Sequence, residues 1–111
     1  MDTEYYKIYQ PDEERDCVSG DIVGIAGDAV YPALIVRKED DKYEGIILER
    51  LDGNTAPGAL CKPGQMFILE DKQILTRLHQ VNLTVKQIGD EDHLDFDEEQ
   101  LKSYGFELPQ L

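Results

Sequence analysis

The apolar residues of this 111-residue chain come in short runs, and this spacing limits the fold more than any other feature. Runs of about four to eight residues are separated by glycine, proline or charged turns, and none approaches the ~20 residues of a membrane span. Short runs at close spacing, with little helical periodicity, predict a mainly β domain. We expect a small barrel of five to six strands followed by a short C-terminal helix.

Individual strands follow from this pattern. The predicted turns are the charged or glycine-containing stretches 37–42, 52–54 and 70–73, which favour chain reversal. The apolar stretches between them predict strands at 5–9, 20–27, 33–36, 43–51, 66–69, 74–78 and 81–88, with an arm at 5–9 and a short helix at 81–88 as the alternatives.

One helix is predicted near the C-terminus. Asp97 fits an N-cap with Gln100 at the third position, the spacing of a capping box. Phe96 and Leu101 are spaced to form the hydrophobic staple, and Gly105 ends the helix. A helix of two turns is only marginally stable by itself, so this helix must dock on the barrel.

The net charge of −13 is unevenly distributed. Residues 1–20 carry six acids and two bases (net −4), and residues 90–111 carry eight acids and one base (net −7). The stretch between them, 21–89, has a net charge of only −2. We therefore expect a single domain with an acidic arm at 1–19, a barrel core at 20–89 and an acidic C-terminal segment at 90–111. Direct nucleic-acid binding, which needs cations against phosphate, is disfavoured.

The N-terminus lacks the basic start and apolar stretch of a signal peptide, so we expect a cytoplasmic protein without membrane attachment. Cys17 and Cys61 are consistent with free thiols in that compartment, and a disulfide between them is the alternative. The spacing of Cys and His residues suits no zinc site, and we expect neither metal nor cofactor. His79 and His93 are interpreted as ordinary polar residues, since no nucleophile motif accompanies them.

Clustered carboxylates are the strongest candidate binding feature. Seven acids occupy the ten positions 90–99. Closely spaced carboxylates present negative charge as phosphates do, and so fit the Lys/Arg cluster of a basic groove. The alternative is a solvated helix start, where acids favour the helix dipole. The candidate partner-binding residues, including an N-terminal loop that would extend the same face, are Asp90, Glu91, Asp92, Asp95, Asp97, Glu98, Glu99, Asp12, Glu13 and Glu14.

Four segments resemble a known family. Gly-Asp-Ile-Val at 20–23, Tyr-Pro-Ala-Leu-Ile-Val at 31–36, the segment 69–76 and Lys-Gln-Ile-Gly at 86–89 are similar to the MazF/PemK-type toxins. The resemblance covers roughly residues 20–104. It implies an SH3-like barrel, and a possible homodimer, because the family's members cut RNA as dimers.

The active site departs from that family. Its catalytic arginine directly precedes the proline, where this chain has Tyr31. Its Thr or Ser after the central strand is matched only by a shifted Thr55. RNA cleavage also needs a cation for the developing phosphate charge, and Arg37 or Arg50 would have to supply it. The resemblance therefore implies the fold rather than the activity.

Three functions remain open. The first is a non-catalytic acidic protein, of a phage or mobile element, that occludes the basic groove of a nuclease or other nucleic-acid-binding enzyme. Anti-CRISPR and anti-restriction proteins are such inhibitors. The second is a MazF/PemK-like endoribonuclease using Arg37, Arg50 and Thr55. The third is a structural or regulatory binding module.

Overall fold

The computed structural model describes residues 6–27, 29–53 and 62–109. It confirms a mainly β protein with antiparallel sheets and one short helix. The strands are β1 Lys7–Ile8, β2 Asp21–Ala26, β3 Val30–Glu39, β4 Lys42–Ile47, β5 Glu49–Arg50, β6 Met66–Glu70, β7 Ile74–Gln80, β8 Leu83–Ile88, β9 Glu91–Phe96 and β10 Phe106–Glu107, with a 3₁₀ turn at Asp71–Gln73 and the helix α1 at Glu98–Ser103.

Six strands form one antiparallel sheet in the order β1-β7-β2-β3-β4-β6. Two smaller pairs, β10-β5 and β8-β9, are the other sheets among the described residues. Strands β1 and β6 are the sheet edges, and no ladder between described residues joins them. Bulges or register shifts occur twice between β2 and β7 and once between β3 and β4. Since bulges bend strands, they curve the sheet without closing it by hydrogen bonds.

The central strands are buried on both faces. One cluster includes Tyr9 and Cys17 of the N-terminal segment, and the other includes Leu101 and Phe106 of the C-terminal segment. Consecutive residues of β2 divide between them, Ile22 in the second and Val23 in the first, as the period-2 alternation of a strand requires. The two ends of the chain therefore cover different faces of the sheet.

The Gly20-Asp21 pair has a structural role at the start of β2. Gly20 has φ +96°, and a Cβ there would lie 2.3 Å from the carbonyl oxygen of Val81, so only glycine fits. The buried Asp21 carboxylate accepts hydrogen bonds from the backbone N–H of Val18 and the Nε2 of Gln80, both at 2.9 Å. Burial raises the pKa of this carboxyl group.

The N-terminal segment is held by a buried arginine. The Arg15 guanidinium donates to the carbonyls of Ile74 at 2.9 Å and Gln10 at 3.0 Å. It also lies over the Tyr9 ring, 5.4 Å from the centroid. Residues 9–17 therefore pack against the sheet and leave their carboxylates at the surface.

Two sequence expectations need correction. The predicted turn at 37–42 is narrower, because β3 continues to Glu39 and only Asp40 and Asp41 reverse the chain. The segment 90–96, expected only as part of the acidic C-terminal segment, contains strand β9. All six β9 residues have cross-strand partners on β8, so this pairing overrides the low strand propensity of the acids.

The helix starts where the capping pattern predicts. The Asp97 side chain accepts from the backbone N–H of Gln100 at 3.1 Å. The reciprocal bond of a capping box is replaced, because the Gln100 side chain accepts from the backbone N–H of Asn82 at 3.2 Å. The helix docks through buried Leu101. No helix in the described ranges is long and apolar enough to cross a membrane.

Candidate functional site

The β8–β9 hairpin divides the acidic segment between two faces. Gly89, with φ +64°, takes the first position of the two-residue turn, where type II′ turns carry glycine. Alternation along β9 places Asp92 on the face that carries half-buried Leu94 and Phe96. Glu91 and Asp95 lie on the exposed outer face. The acids of 90–99 thus do not form one continuous row.

Asp92 forms an ion pair with a cation from the main sheet. The Nη2 of Arg37 forms an ion pair with Oδ2 of Asp92, and its Nε lies 3.1 Å from Oε2 of Glu44. Both carboxylates raise the pKa of the Arg37 guanidinium, the hydrogen bond to Asp92 contributing most. Arg37 thus fixes the hairpin to the sheet, and Asp92 is not available to a partner at full charge.

Two further acids of the hairpin have weaker local partners. The Nζ of Lys86 lies 3.8 Å from the Asp95 carboxylate, and Nε2 of His93 lies 3.8 Å from that of Glu91. These are exposed contacts that contribute little stability, and salt screens them.

Three other acids have no ion pair within the described part of the chain. Asp90 lies in the hairpin turn, Glu98 and Glu99 open the helix, and all three are exposed. We call them together the C-terminal acidic surface, whose two parts are separated by the length of β9: Asp90, Glu98 and Glu99. The cap residue Asp97 adjoins the last two, with one carboxylate oxygen hydrogen-bonded to the helix N-terminus.

A second acidic surface forms around the N-terminal loop. Glu14, Asp16, Asp41 and Asp71 line one small cavity of about 130 Å³ with Lys38. The Nζ of Lys38 lies 3.7 Å from Asp16. We call these four carboxylates the N-terminal acidic surface. Sequence reasoning missed Asp41 and Asp71, since only the folded sheet brings the β3–β4 turn and the 3₁₀ turn beside the loop.

Two other acids of the loop lie nearby in sequence. Glu13 pairs with Lys7, Oε2 to Nζ 2.5 Å, and this bond lowers the pKa of the Glu13 carboxyl group. Asp12 is exposed and has no ion pair with a described residue.

The two acidic surfaces lie on different sides of β3. Arg37 and Lys38 are consecutive residues of that strand, so their side chains point to opposite faces. Arg37 contacts Asp92 of the hairpin, whereas Lys38 contacts Asp16 of the N-terminal loop. The expectation that the N-terminal loop extends the C-terminal acidic face is therefore wrong in geometry, and the chain presents two separate surfaces.

Arg37 and Arg50, two of the three residues expected for ribonuclease activity, lie on different strands. Tyr31, in the position of the family's arginine, is only 4% exposed and belongs to the core. Arg37 is held between two carboxylates. Arg50 is exposed on β5, opposite Phe106 of β10. Thr55 lies outside the described residues.

Two buried or half-buried titratable side chains, Cys17 and His79, pack against aromatic residues. Burial raises the pKa of the Cys17 thiol to about 11, so it is protonated at neutral pH. The backbone N–H of Cys17 donates to the Tyr43 hydroxyl at 3.2 Å. His79 stacks on Tyr104, with ring centroids 4.1 Å apart, and burial lowers its pKa.

The described residues contain no group of three or more His, Cys, Asp or Glu placed to hold a metal ion. Cys61 lies outside the described residues.

Comparisons with protein-family models, curated proteins and solved structures found no match to this chain.

Proposed function

We propose that this protein is a non-catalytic acidic inhibitor that binds the basic surface of a nuclease or other nucleic-acid-binding enzyme. The observation that carries the proposal is the C-terminal acidic surface, where Asp90, Glu98 and Glu99 have no ion pair within the described chain. Charges without internal partners keep their full attraction for an external cation. They are presented on a hairpin turn and a helix start, both anchored to the sheet.

The physical basis is competition for the cations that bind phosphate. A basic groove binds nucleic acid through Lys and Arg contacts, and carboxylates occupy the same donors. The net charge of −13 also steers the protein toward such grooves and away from nucleic acid. Inhibition then results from occlusion and requires no chemistry by this chain.

This mode of action is that of anti-CRISPR and anti-restriction proteins, which counter a host nuclease in the cytoplasm. We therefore propose that a phage or mobile element supplies this protein. The curved sheet with its bulges is compatible with an open relative of the SH3-like barrel of MazF/PemK toxins, on which the inhibitory surface would have replaced the active site.

The ribonuclease alternative has less support, because Tyr31 is buried and Arg37 is paired with Glu44 and Asp92. Incubating the protein with varied single-stranded RNAs, without added metal, tests it directly. Cleavage that Arg50→Ala reduces would establish the alternative. A regulatory binding module would instead form stable complexes without changing nuclease activity.

The inhibitor proposal is tested by DNA-binding competition. Fluorescent DNA is bound to each of a panel of basic nucleases, RNA-guided and restriction enzymes included, and the protein is titrated in. We expect displacement from at least one enzyme, weakening as salt rises because salt screens the charges. Failure to displace DNA from any enzyme of the panel at low salt would contradict the proposal.

Two variants of equal net charge locate the surface. The C-terminal variant carries Asp90→Asn, Glu98→Gln and Glu99→Gln. The matched control carries Asp12→Asn, Glu14→Gln and Asp41→Asn on or beside the N-terminal acidic surface, and each variant has a net charge of −10.

The two variants should differ in inhibition. We expect the C-terminal variant to lose inhibition and the control to retain most of it, because only the first removes the unpaired carboxylates of the C-terminal acidic surface. Equal loss in both would show that total charge, and not this surface, is responsible.

A further inference from the structure

A groove runs beside the C-terminal acidic surface. It consists of two adjoining cavities of about 430 and 250 Å³ between the β8–β9 hairpin, helix α1 and the segment after β10. The cavities share four lining residues: Phe96, Glu98, Leu108 and Pro109. Since the same side chains line both, the two cavities adjoin, and we refer to them together as the groove.

The buried and half-buried side chains that form the floor of this groove are apolar. Leu94 and Phe96 of β9 are half-buried there, and Ile46 of β4 lines the far end. Ile46 is paired with Met66 on the edge strand β6, so their side chains share a face. Met66 and, two residues on, Ile68 are 49% and 59% exposed on that face. The apolar floor thus extends onto an exposed strip of the sheet edge.

The rim of the groove is acidic. Glu49, Glu98 and Glu107 line it, and none has an ion pair with a described residue. Lys102 is the one uncompensated cation among its described lining residues, whereas Asp92 at the other end is paired with Arg37. The groove thus combines an apolar floor with an uncompensated negative rim.

We propose that this groove binds a segment of the basic partner in which Arg or Lys residues alternate with apolar ones. This inference rests on the proposed function and gives the partner's chemistry. The apolar residues and the methylene stems of Arg or Lys cover the floor, while the cationic heads reach the rim carboxylates. A second copy of this chain is a poor occupant, since each copy carries −13.

Two fluorescent hexapeptides test the groove with the intact protein. One alternates Arg and Leu, and the other alternates Arg and Ser, so both carry three cations and differ only in apolar content. We expect the Arg-Leu peptide to bind at least about tenfold more tightly, because only its leucines gain from burial on the floor. Binding is measured by fluorescence anisotropy over a range of salt concentrations.

Charge reversal at the rim provides the variant. Glu98 and Glu107 are exposed, so Glu98→Lys with Glu107→Lys leaves the core unchanged. We expect at least about a tenfold loss of Arg-Leu binding. The control, Glu14→Lys with Asp41→Lys, makes the same change of charge on the N-terminal acidic surface and should lose much less.

The outcomes separate this inference from the proposed function. If both peptides bind equally and the rim variant weakens both, the acidic surface attracts cations but the groove does not select apolar neighbours, and the inference is wrong. The inference is also wrong if neither the leucines of the peptide nor the charge of the rim affects binding. That result is expected if the chain's own residues fill the groove. Nuclease inhibition without any preference for the Arg-Leu peptide would leave the proposed function standing alone.

Discussion

Arg37 on β3 forms an ion pair with Asp92 on β9, joining positions 55 residues apart in the sequence. This contact attaches the β8–β9 hairpin to the main sheet. It also removes one carboxylate from the acidic segment that a partner would meet. The strength of the contact therefore determines how firmly the C-terminal acidic surface is positioned.

A double-mutant cycle measures that strength. Arg37→Ala and Asp92→Ala, singly and together, should give an interaction free energy of about 0.5–1 kcal/mol in denaturant unfolding, because both side chains are partly shielded. Their side-chain exposures are 32% and 38%. The control pair, Lys86 and Asp95, is 61% and 70% exposed and should give a value close to zero. Equal interaction energies in the two cycles would mean that Arg37 does not anchor the hairpin.

The helix cap gives a second prediction. Asp97→Ala should lower the free energy of unfolding by about 1 kcal/mol, because the backbone N–H of Gln100 loses its acceptor. Asp97→Asn retains an acceptor oxygen and should cost clearly less. Since the asparagine variant also removes a charge, it allows Asp97 to be neutralised in binding studies without unfolding the helix. Equal destabilisation by both substitutions would show that charge, and not the hydrogen bond, is what the helix requires.

Cys17 gives a prediction for alkaline pH. Its thiol has an ordinary pKa of 9.0 and a pKa of about 11 in the folded protein, so folding favours the protonated form. The resulting stability is present below pH 9 and lost as the pH rises from about 9 to 11, because the unfolded thiol ionises first. Unfolding free energies should therefore fall more steeply over this range in the parent protein than in Cys17→Ala.

Thiol reactivity checks the same burial independently. In a Cys61→Ser background, Cys17 is the sole cysteine, and it should react with a chromogenic disulfide reagent at pH 8 only after denaturant is added. Rapid reaction of the folded protein would contradict the buried, protonated thiol.

The strands and the helix start were largely predictable, because apolar runs and caps act locally. Asp97 and its acceptor role follow from residues three positions apart. Strand β9 was missed, since its sequence Glu-Asp-His-Leu-Asp-Phe has only two apolar residues, and its stability depends on pairing with β8. The continuation of β3 through Arg37 and Lys38 was missed because these residues are charged and their strand conformation depends on pairing with β4.

The candidate site was only partly predictable. The acidic residues themselves are evident in the sequence, but their partners are not, and the 55-residue separation of Arg37 and Asp92 has no local signal. The same holds for Asp41 and Asp71, which join Glu14 through the sheet. Sequence therefore showed where negative charge is abundant, and the fold determined which charges remain unpaired.

Whether the C-terminal acidic surface contacts the inhibited enzyme is measured most directly by NMR. The ¹⁵N-labelled protein is titrated with a nuclease whose DNA binding it inhibits. We expect amide signals of the C-terminal acidic surface, Asp90, Glu98 and Glu99, to shift or broaden first, while those of Glu14, Asp16 and Asp41 remain largely unchanged. Perturbation centred on the N-terminal acidic surface, or spread evenly over both, would contradict the claim.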